Sequence, residues 1–240
     1  ASGVRPGTIA IDMQSTAGSA GQIPVMLDGR AVFVQRAGRK IVEFGYQLQR
    51  DRYEAPDLTR FADDIGDPGF VELAWQKEPE KLLWACLADG TLAAALYLPT
   101  EQALGWAVRE LGGGLLGRSI CTITDEAGKR DELWCIARHA TGNHYMMRMG
   151  IIRHSSDDDT DVFMSDAAGR YEGAPATTIS GIDWLIGFGV EIIADGKYVG
   201  RKTITDAGDL ILDEPASKVS FGLAFTAFID LLELEAGGDS

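Results

Sequence analysis

Short apolar runs bounded by turn residues dominate the chain, and apolar residues at helical spacing are scarce. This pattern is typical of an all-β protein. Three pairs of runs have the form of hairpins, and each pair carries a glycine in its turn. The hairpins lie at residues 28–47, 81–99 and 132–152, with turn glycines Gly38, Gly90 and Gly142. Asp-Gly and Gly-Asn pairs in these turns favour hairpins because they accept positive φ.

The turn glycines recur every 52 residues, and a hairpin repeated at such a spacing is typical of a β-propeller. One blade cannot bury its own faces, so blades stack on their neighbours. Further strand-like runs lie between the hairpins at residues 70–75, 103–111 and 119–124. We therefore expect propeller-type blades, forming part of a propeller, over residues 1–152. An unrelated β-sandwich with evenly spaced hairpins is the alternative.

One segment departs from the strand pattern. Residues 56–65 begin with Pro56 and Asp57, carry apolar residues at helical spacing, and end before Gly66. These are start and stop signals of a helix, so we expect a short helix that caps a sheet.

The composition changes after Ile152. Residues 153–174 are polar and acidic, which predicts an acidic linker. Short apolar runs with tight turns return beyond it, and they predict a small antiparallel β-sandwich or barrel domain over residues 175–240. The strand-like runs of this domain are 190–194, 198–204, 209–212, 218–223 and 227–235.

The chain has 240 residues and a formal net charge of -14. A protein that holds nucleic acid by neutralising phosphates needs the opposite charge, so this balance argues against that class and against anionic membrane surfaces. No run approaches the roughly 18 apolar residues of a membrane span, and the N-terminus has no signal-peptide form. Without an initiator Met and with a linker-like end, the chain is expected to be part of a longer protein.

Cysteine and histidine are the residue types that could form a metal site or a nucleophile. They are Cys86, Cys121, Cys135, His139, His144 and His154. The cysteines stand singly in apolar runs without CxxC spacing, which predicts buried thiols in a reducing compartment. Two of the histidines flank the third hairpin turn, but they lack a third ligand. Pairing of a cysteine with a histidine in space stays open.

Two motifs match binding loops only in part. Residues 112–117 fit GxGxxG, but residues 118–124 after them are strand-like rather than helical, so we expect a turn between blades. Asp157, Asp159 and Asp161 have the spacing of the first ligands in a calcium-binding EF-hand loop. The Gly and Glu required later in such a loop are replaced by Val162 and Ala168, so a solvated acidic loop is favoured over a looser cation site. We therefore assign no catalytic, cofactor-binding or metal residue, and we expect no enzyme.

The tryptophans lie mostly in predicted strands: Trp75, Trp84, Trp106, Trp134 and Trp184. Trp84 and Trp134 open equivalent hairpin strands, each after a leucine, which predicts packing between blades. A sugar-binding face made of these rings is the alternative.

Several segments, in the same order along nearly the whole chain, resemble phage tail proteins of the nozzle type. They are AVFVQRAGRK (31–40), EFGY (43–46), APDLT (55–59), LAWQKEP (73–79), LW (83–84), ADGTL (88–92), GW (105–106), DELW (131–134), GAPATTISG (173–181), ADG (194–196) and DEPAS (213–217). The chain departs from the pattern in its third hairpin, which has two extra residues before the turn glycine relative to the second.

The resemblance implies a virion component of short-tailed or related phages and prophages, made in the host bacterial cytoplasm and built around a β-propeller. Such proteins form a ring below the portal and adaptor and continue the channel through which DNA leaves the capsid. The implied partners are other copies of itself, the tail adaptor, tail fibre or spike proteins, and passing DNA bound without sequence specificity. No cofactor and no membrane insertion are implied.

The alternative is a carbohydrate-binding or glycan-degrading tail module that contacts the cell envelope. A glycosidase needs two carboxylates about 5 to 9.5 Å apart in a cleft, and the sequence offers no candidate pair. For ring contacts, residues 182–188 and 223–229 carry more large apolar side chains than solvent-facing segments should. Packing of these two segments against each other inside the small β domain is equally open.

Overall fold

The computed structural model describes residues 16–48, 51–101, 103–150 and 163–227. These residues form four antiparallel sheets, none of which closes into a barrel in the described ranges. The all-β prediction is confirmed. The contacts divide the chain into two compact units, residues 1–150 (unit 1) and 151–240 (unit 2).

Unit 1 contains three consecutive sheets, and in each of them neighbouring strands along the chain pair with one another. The first sheet comprises β1 (Val25–Leu27), β2 (Arg30–Val34), β3 (Ile41–Gln47) and β4 (Arg52–Glu54). The second comprises β5 (Phe70–Gln76), β6 (Leu82–Leu87), β7 (Leu92–Leu98) and β8 (Ala103–Arg109). The third comprises β9 (Leu116–Thr124), β10 (Asp131–Arg138) and β11 (His144–Arg148). All three predicted hairpins are present, and Gly38, Gly90 and Gly142 have positive φ in their turns.

The second sheet is buried on both faces because it lies between the other two. Leu83 and Ala85 of β6 share a core with Val32 of the first sheet. On the opposite face of β6, Cys86 approaches Gly117 of the third sheet. Apolar sheet faces are stable only when another layer covers them, and the run LLWACL of β6 supplies apolar side chains to both sides.

The predicted helix over residues 56–65 is wrong, and only Asp63–Gly66 forms a short 3-10 helix. The Asp57 carboxylate accepts hydrogen bonds from the backbone N–H and the hydroxyl of Thr59, at 2.8 and 2.7 Å. Such local side-chain bonds compete with helix formation. The Leu58 N–H then donates to the Ile41 carbonyl, which holds the segment against the first sheet.

Unit 2 forms one sheet in the described range 163–227, in the strand order β12-β15-β13-β14. Its strands are β12 (Asp166–Ile179), β13 (Gly189–Ala194), β14 (Lys197–Thr203) and β15 (Leu210–Leu223). The expected sandwich or barrel is therefore not observed there. Ile182, Leu185 and Ile204, which lie outside the strands, are as fully buried as Val190 and Ile192 of β13, so connecting segments contribute to the core of this unit.

Two boundaries in unit 2 differ from the prediction. Residues 166–174, expected as linker, belong to β12, and the runs 209–212 and 218–223 join in the single strand β15. The pairing of β12 with β15 shifts register on both sides of Ala176, so irregular pairing lets both strands continue as long ones. The acidic residues 153–162 and most of the run 227–235 lie outside the described residues. The described part of the chain contains no helix of sufficient length and apolarity to cross a membrane.

Candidate functional site

Two equivalent backbone hydrogen bonds join the three sheets of unit 1. The Phe70 N–H, at the start of β5, donates to the carbonyl of turn glycine Gly38 at 2.8 Å. The Gly117 N–H, at the start of β9, donates to the carbonyl of turn glycine Gly90 at 2.7 Å. Strand β5 also contacts both β1 and β9, so the first strands of the three sheets adjoin in order. The regular spacing seen in the sequence therefore corresponds to a repeated contact between sheets.

Side chains reinforce the junction of the second and third sheets. The Asp131 carboxylate accepts from the backbone N–H groups of Lys77 and Glu78, at 2.8 and 3.2 Å. The Thr122 hydroxyl donates to the Trp75 carbonyl at 2.8 Å. Burial opposes ionisation of Asp131, but the Lys77 N–H, the Thr124 hydroxyl and the Glu78 N–H outweigh it and lower the pKa of this carboxyl. Asp131 is thus an ionised acceptor that holds one sheet to the next.

Replacing Asp131 with alanine is expected to lower the free energy of unfolding by about 1–2 kcal/mol near neutral pH, because two backbone donors lose a charged acceptor. The folded-state pKa lies below the ordinary 3.8. The contribution is therefore complete above that value and disappears as the pH falls through the lowered pKa. Urea unfolding of the unchanged chain and the variant across this range measures the difference.

Asp89→Ala is the matched control for Asp131→Ala, because the Asp89 carboxylate accepts its hydrogen bonds from Thr91 within its own turn and does not join two sheets in the part of the chain that the structure describes. A difference between the Asp131 variant and the unchanged chain that stays constant into acid would contradict the assigned role.

A buried polar cluster lies between the first and second sheets. Glu43 of β3 is 3% exposed, and its carboxylate accepts from the Arg30 guanidinium and from the Tyr97 hydroxyl. Burial and the adjacent Glu43 carboxylate raise the pKa of Tyr97. The phenol therefore stays protonated and donates its hydrogen bond. With both carboxylate oxygens partnered, the cluster orients two sheets and offers no free base.

Three of the five tryptophans pack as predicted within the stack. Trp84 is buried and donates to the Gln76 side-chain oxygen at 3.1 Å. The Trp106 ring lies beside Phe70, and its N–H donates to the Leu58 carbonyl at 2.9 Å. The Trp75 ring meets Tyr97 edge-on. These rings fill space between sheets rather than line a sugar-binding cleft.

Two of the cysteines, Cys86 and Cys135, lie near each other between the second and third sheets. Cys86 and Cys135 are buried, whereas Cys121, expected to be buried, is exposed. Burial, with Cys135 and Glu72 nearby, raises the pKa of the Cys86 thiol to about 12, so it is a poor nucleophile at neutral pH.

His139 bonds Thr141 within its own turn at 2.9 Å, while His144 pairs with Arg138 in the strand ladder. No cluster of three or more His, Cys, Asp or Glu suited to a metal occurs among the residues that the structure describes. His154 and the Asp157–Asp161 run fall outside them.

The glycine motif forms the predicted turn. Gly112–Gly114 is a short 3-10 turn, and it leads directly into strand β9 instead of a helix. A pyrophosphate site of the dinucleotide-binding type needs a helix N-terminus at this point. The motif therefore serves the connection between the second and third sheets.

The two segments expected at ring contacts contribute partly to the core of unit 2. Ile182, Leu185 and Leu223 are buried. The Trp184 ring stacks on Phe221 of β15, and its N–H donates to the Ala167 carbonyl at 3.1 Å. Trp184, Ile186 and Phe225 are nevertheless exposed, by 42%, 40% and 38%. The segments therefore supply both core residues and surface residues, and their role in ring contacts stays a prediction. Residues 228 and 229 lie outside the described range.

The third sheet has an outer face with an apolar centre, which was not predicted from the sequence. We call it the forward face. Its apolar members are Cys121, Ile123, Trp134, Ile136 and Met146, and its polar and charged members are Ser119, Glu132, Arg138, His144 and Arg148. Every residue of the run Leu133–Ile136 is apolar, so the strand has apolar side chains on both faces. This pattern is typical of a strand that is buried on both sides. The residues that face the second sheet, including Leu133 and Cys135, are buried, whereas Ile136 and Met146 on the forward face are exposed.

Comparison with known proteins found no matching family model and no matching curated protein.

Proposed function

We propose that the chain is part of a structural virion protein in the tail of a phage or prophage, of the nozzle type. In this proposal the three sheets of unit 1 are consecutive blades of a β-propeller. They belong to a ring that continues the DNA-exit channel below the portal and adaptor. Other copies of the protein, the tail adaptor and tail fibre or spike proteins are its partners.

The observation that carries the proposal is the repeated junction between sheets. The Phe70–Gly38 and Gly117–Gly90 hydrogen bonds occupy the same place in successive sheets, and β1, β5 and β9 adjoin in order. Propellers are built by this kind of radial repetition, with antiparallel four-stranded sheets packed face to face. The segments that resemble nozzle-type proteins, which occur along nearly the whole chain, support the assignment to a phage tail.

The charge and chemistry of the chain suit a conduit. A net charge of -14 keeps a polyanion from binding tightly, so DNA can slide past. The polar groups of the Arg30, Glu43 and Tyr97 cluster satisfy one another, and the Cys86 thiol is protonated at neutral pH. These features support a structural role rather than a catalytic one.

Electron microscopy of particles from a strain that encodes the chain tests the proposal, with gold-labelled antibody raised against unit 1. We expect label at the tail, between the portal vertex and the distal tip. Label confined to the capsid, or particles without label in a lysate that contains the protein, would contradict it. Release of reducing sugar from peptidoglycan or capsule by the purified chain would favour the glycan-degrading alternative.

A further inference from the structure

The two junctions of the stack in unit 1 differ in composition. The junction of the first and second sheets has a core of buried apolar side chains, among them Val32, Ile41, Phe70, Leu73 and Leu83. Burial of such side chains stabilises a junction at any pH, because none of them ionises. We therefore expect the contact between the first and second sheets to persist in acid.

The face that the second sheet turns towards the third is more polar. Glu72 and Cys86 stand opposite each other on this face, and Ala74 stands opposite Trp84. Gln76 follows on the same strand, is 3% exposed, and accepts a hydrogen bond from Trp84. Polar and small side chains thus take places that large aliphatic side chains fill at the first junction, so hydrogen bonds have a larger part in this attachment.

Carboxylates accept hydrogen bonds from the backbone across the second junction. Asp131 of β10 accepts from the N–H groups of Lys77 and Glu78, and Glu72 of β5 accepts from the Ile120 N–H in β9 at 2.8 Å. Hydrogen bonds to an ionised acceptor are roughly twice as strong as neutral ones. Because protonation of the carboxylates removes this gain, acid weakens the attachment of the third sheet directly.

A cation and three hydrogen bonds keep Asp131 ionised until the solution is strongly acidic. The hydrogen bonds outweigh burial and lower the pKa of this carboxyl below the ordinary 3.8, and the Lys77 ammonium adds to the effect. The Asp131 contribution is therefore complete above that value and is lost as the pH falls through the lowered pKa.

The surroundings of Glu72 contain the groups that act on the adjacent Cys86 thiol, namely Cys135, Arg118 and Asp89. Arg118 is a cation and Asp89 is an anion, so their effects on a neighbouring carboxylate oppose each other. Thiols carry no charge in acid. Cys86 and Cys135 are both buried at this junction, so their accessibility reports whether the two sheets are in contact.

Carboxylates also lie at the first junction. Glu43 accepts from Tyr97, a member of the apolar core, and pairs with the Arg30 guanidinium. Asp28 forms an exposed ion pair with Lys81, and pairs of this kind contribute little to stability. Because the apolar core remains in acid, protonation of these two carboxylates leaves the first and second sheets docked.

We infer that the junction of the second and third sheets is an acid-sensitive joint, at which acid separates the third sheet while the first and second sheets stay docked. Local opening of one contiguous part of a protein below the global unfolding transition is well known. The inference concerns the stack in unit 1 and does not depend on the virion assignment, so either can fail alone.

Thiol labelling across pH tests the joint in the unchanged chain, with a dipyridyl disulfide that reacts with thiols in acid. Cys121 is exposed and serves as the internal standard for the buried Cys86 and Cys135. Relative to Cys121, both buried thiols are expected to react at least about tenfold faster at about pH 2.5 than at about pH 6. A ratio that stays constant over this range would overturn the inference.

Hydrogen exchange, corrected for the intrinsic rate at each pH, distinguishes opening of the joint from unfolding of the whole stack. The N–H groups of Lys77 and Ile120 cross the joint and should lose protection in acid. The Phe70 N–H, which donates to the Gly38 carbonyl at the first junction, should stay protected. Equal loss of protection at Phe70 and Ile120 would contradict selective release of the third sheet.

Asp131→Asn combined with Glu72→Gln tests the assignment to these two carboxylates. Both replacements keep a side-chain oxygen that can accept the same hydrogen bonds at any pH, so the acid response of Cys86 labelling should fall at least about tenfold. Asp28→Asn makes the same change at the first junction and should keep the full response.

The melting temperature at neutral pH establishes that each variant folds. Each single variant is expected to lose part of the response, which provides the test if the double variant does not fold. Folded variants at Asp131 and Glu72 that respond to acid as the unchanged chain does would overturn the assignment of the joint to these residues.

Discussion

Replacing Gly90 with alanine is expected to destabilise the protein by about 4 kcal/mol or more, or to prevent folding. Gly90 has φ of 95°, a conformation that strains any residue with a Cβ. A Cβ at this position would also lie 2.5 Å from the Leu116 Cβ and 2.9 Å from the Leu116 Cα. Leu116 begins the third sheet, so relief of the clash requires the two sheets to separate.

Gly142→Ala is the matched control because Gly142 occupies the same place in the third hairpin. Its φ is also 95°, but a Cβ added there would meet no atom of the described residues within 4 Å, its two chain neighbours aside. The control should carry only the backbone strain, about 1–2 kcal/mol. Urea unfolding of both variants measures the difference. Equal losses would mean that contact between sheets contributes nothing at Gly90.

The hairpins could be predicted from sequence because their determinants are local. A glycine with positive φ and a short apolar run on each side define a hairpin without reference to the rest of the chain. The spacing of Gly38, Gly90 and Gly142 extends this local information to a repeat. The order of stacking follows once each sheet must cover its apolar faces.

The segment at residues 56–65 could not be predicted in the same way, because its conformation depends on a distant contact as well as on the local Asp57–Thr59 hydrogen bonds. Its apolar residues fit a helix, but Leu58 is buried in the core while Phe61 is exposed, so they do not share one buried face. The bond from the Leu58 N–H to the Ile41 carbonyl is a tertiary contact that periodicity does not reveal.

The forward face of the third sheet shows the same limit for the candidate site. Ile136 and Val32 look alike in sequence, as apolar residues in equivalent strands. Only the position of each sheet in the stack decides that Val32 is covered and Ile136 is not. A sequence pattern can therefore state that a strand needs cover on both faces, but it cannot state whether the same chain provides it.

Removing the Glu43 side chain with Glu43→Ala is expected to cost about 3 kcal/mol, because a buried ion pair loses one partner. The loss is held near the lower end of the usual range because the Arg30 side chain is partly exposed and can reach water. Tyr97→Phe should cost about 1–2 kcal/mol, because it leaves one oxygen of the buried carboxylate without its donor. The two losses should not add, since the residues share one hydrogen bond.

Tyr198→Phe is the matched control, since the Tyr198 hydroxyl also donates to a carboxylate, that of Glu191, at 2.6 Å. This pair is exposed, so its loss should lie within about 0.5 kcal/mol.

The two tyrosines should also differ in alkali. The folded-state pKa of Tyr97 is raised above the ordinary 10.0, so its contribution is complete below that value and is lost as the pH rises through the raised pKa. Unfolding measured from pH 8 upward should therefore show the difference between the unchanged chain and Tyr97→Phe shrinking above pH 10. If the difference in the free energy of unfolding between the unchanged chain and Tyr97→Phe stayed constant in alkali, the Tyr97 hydroxyl would not act as the proton donor to Glu43.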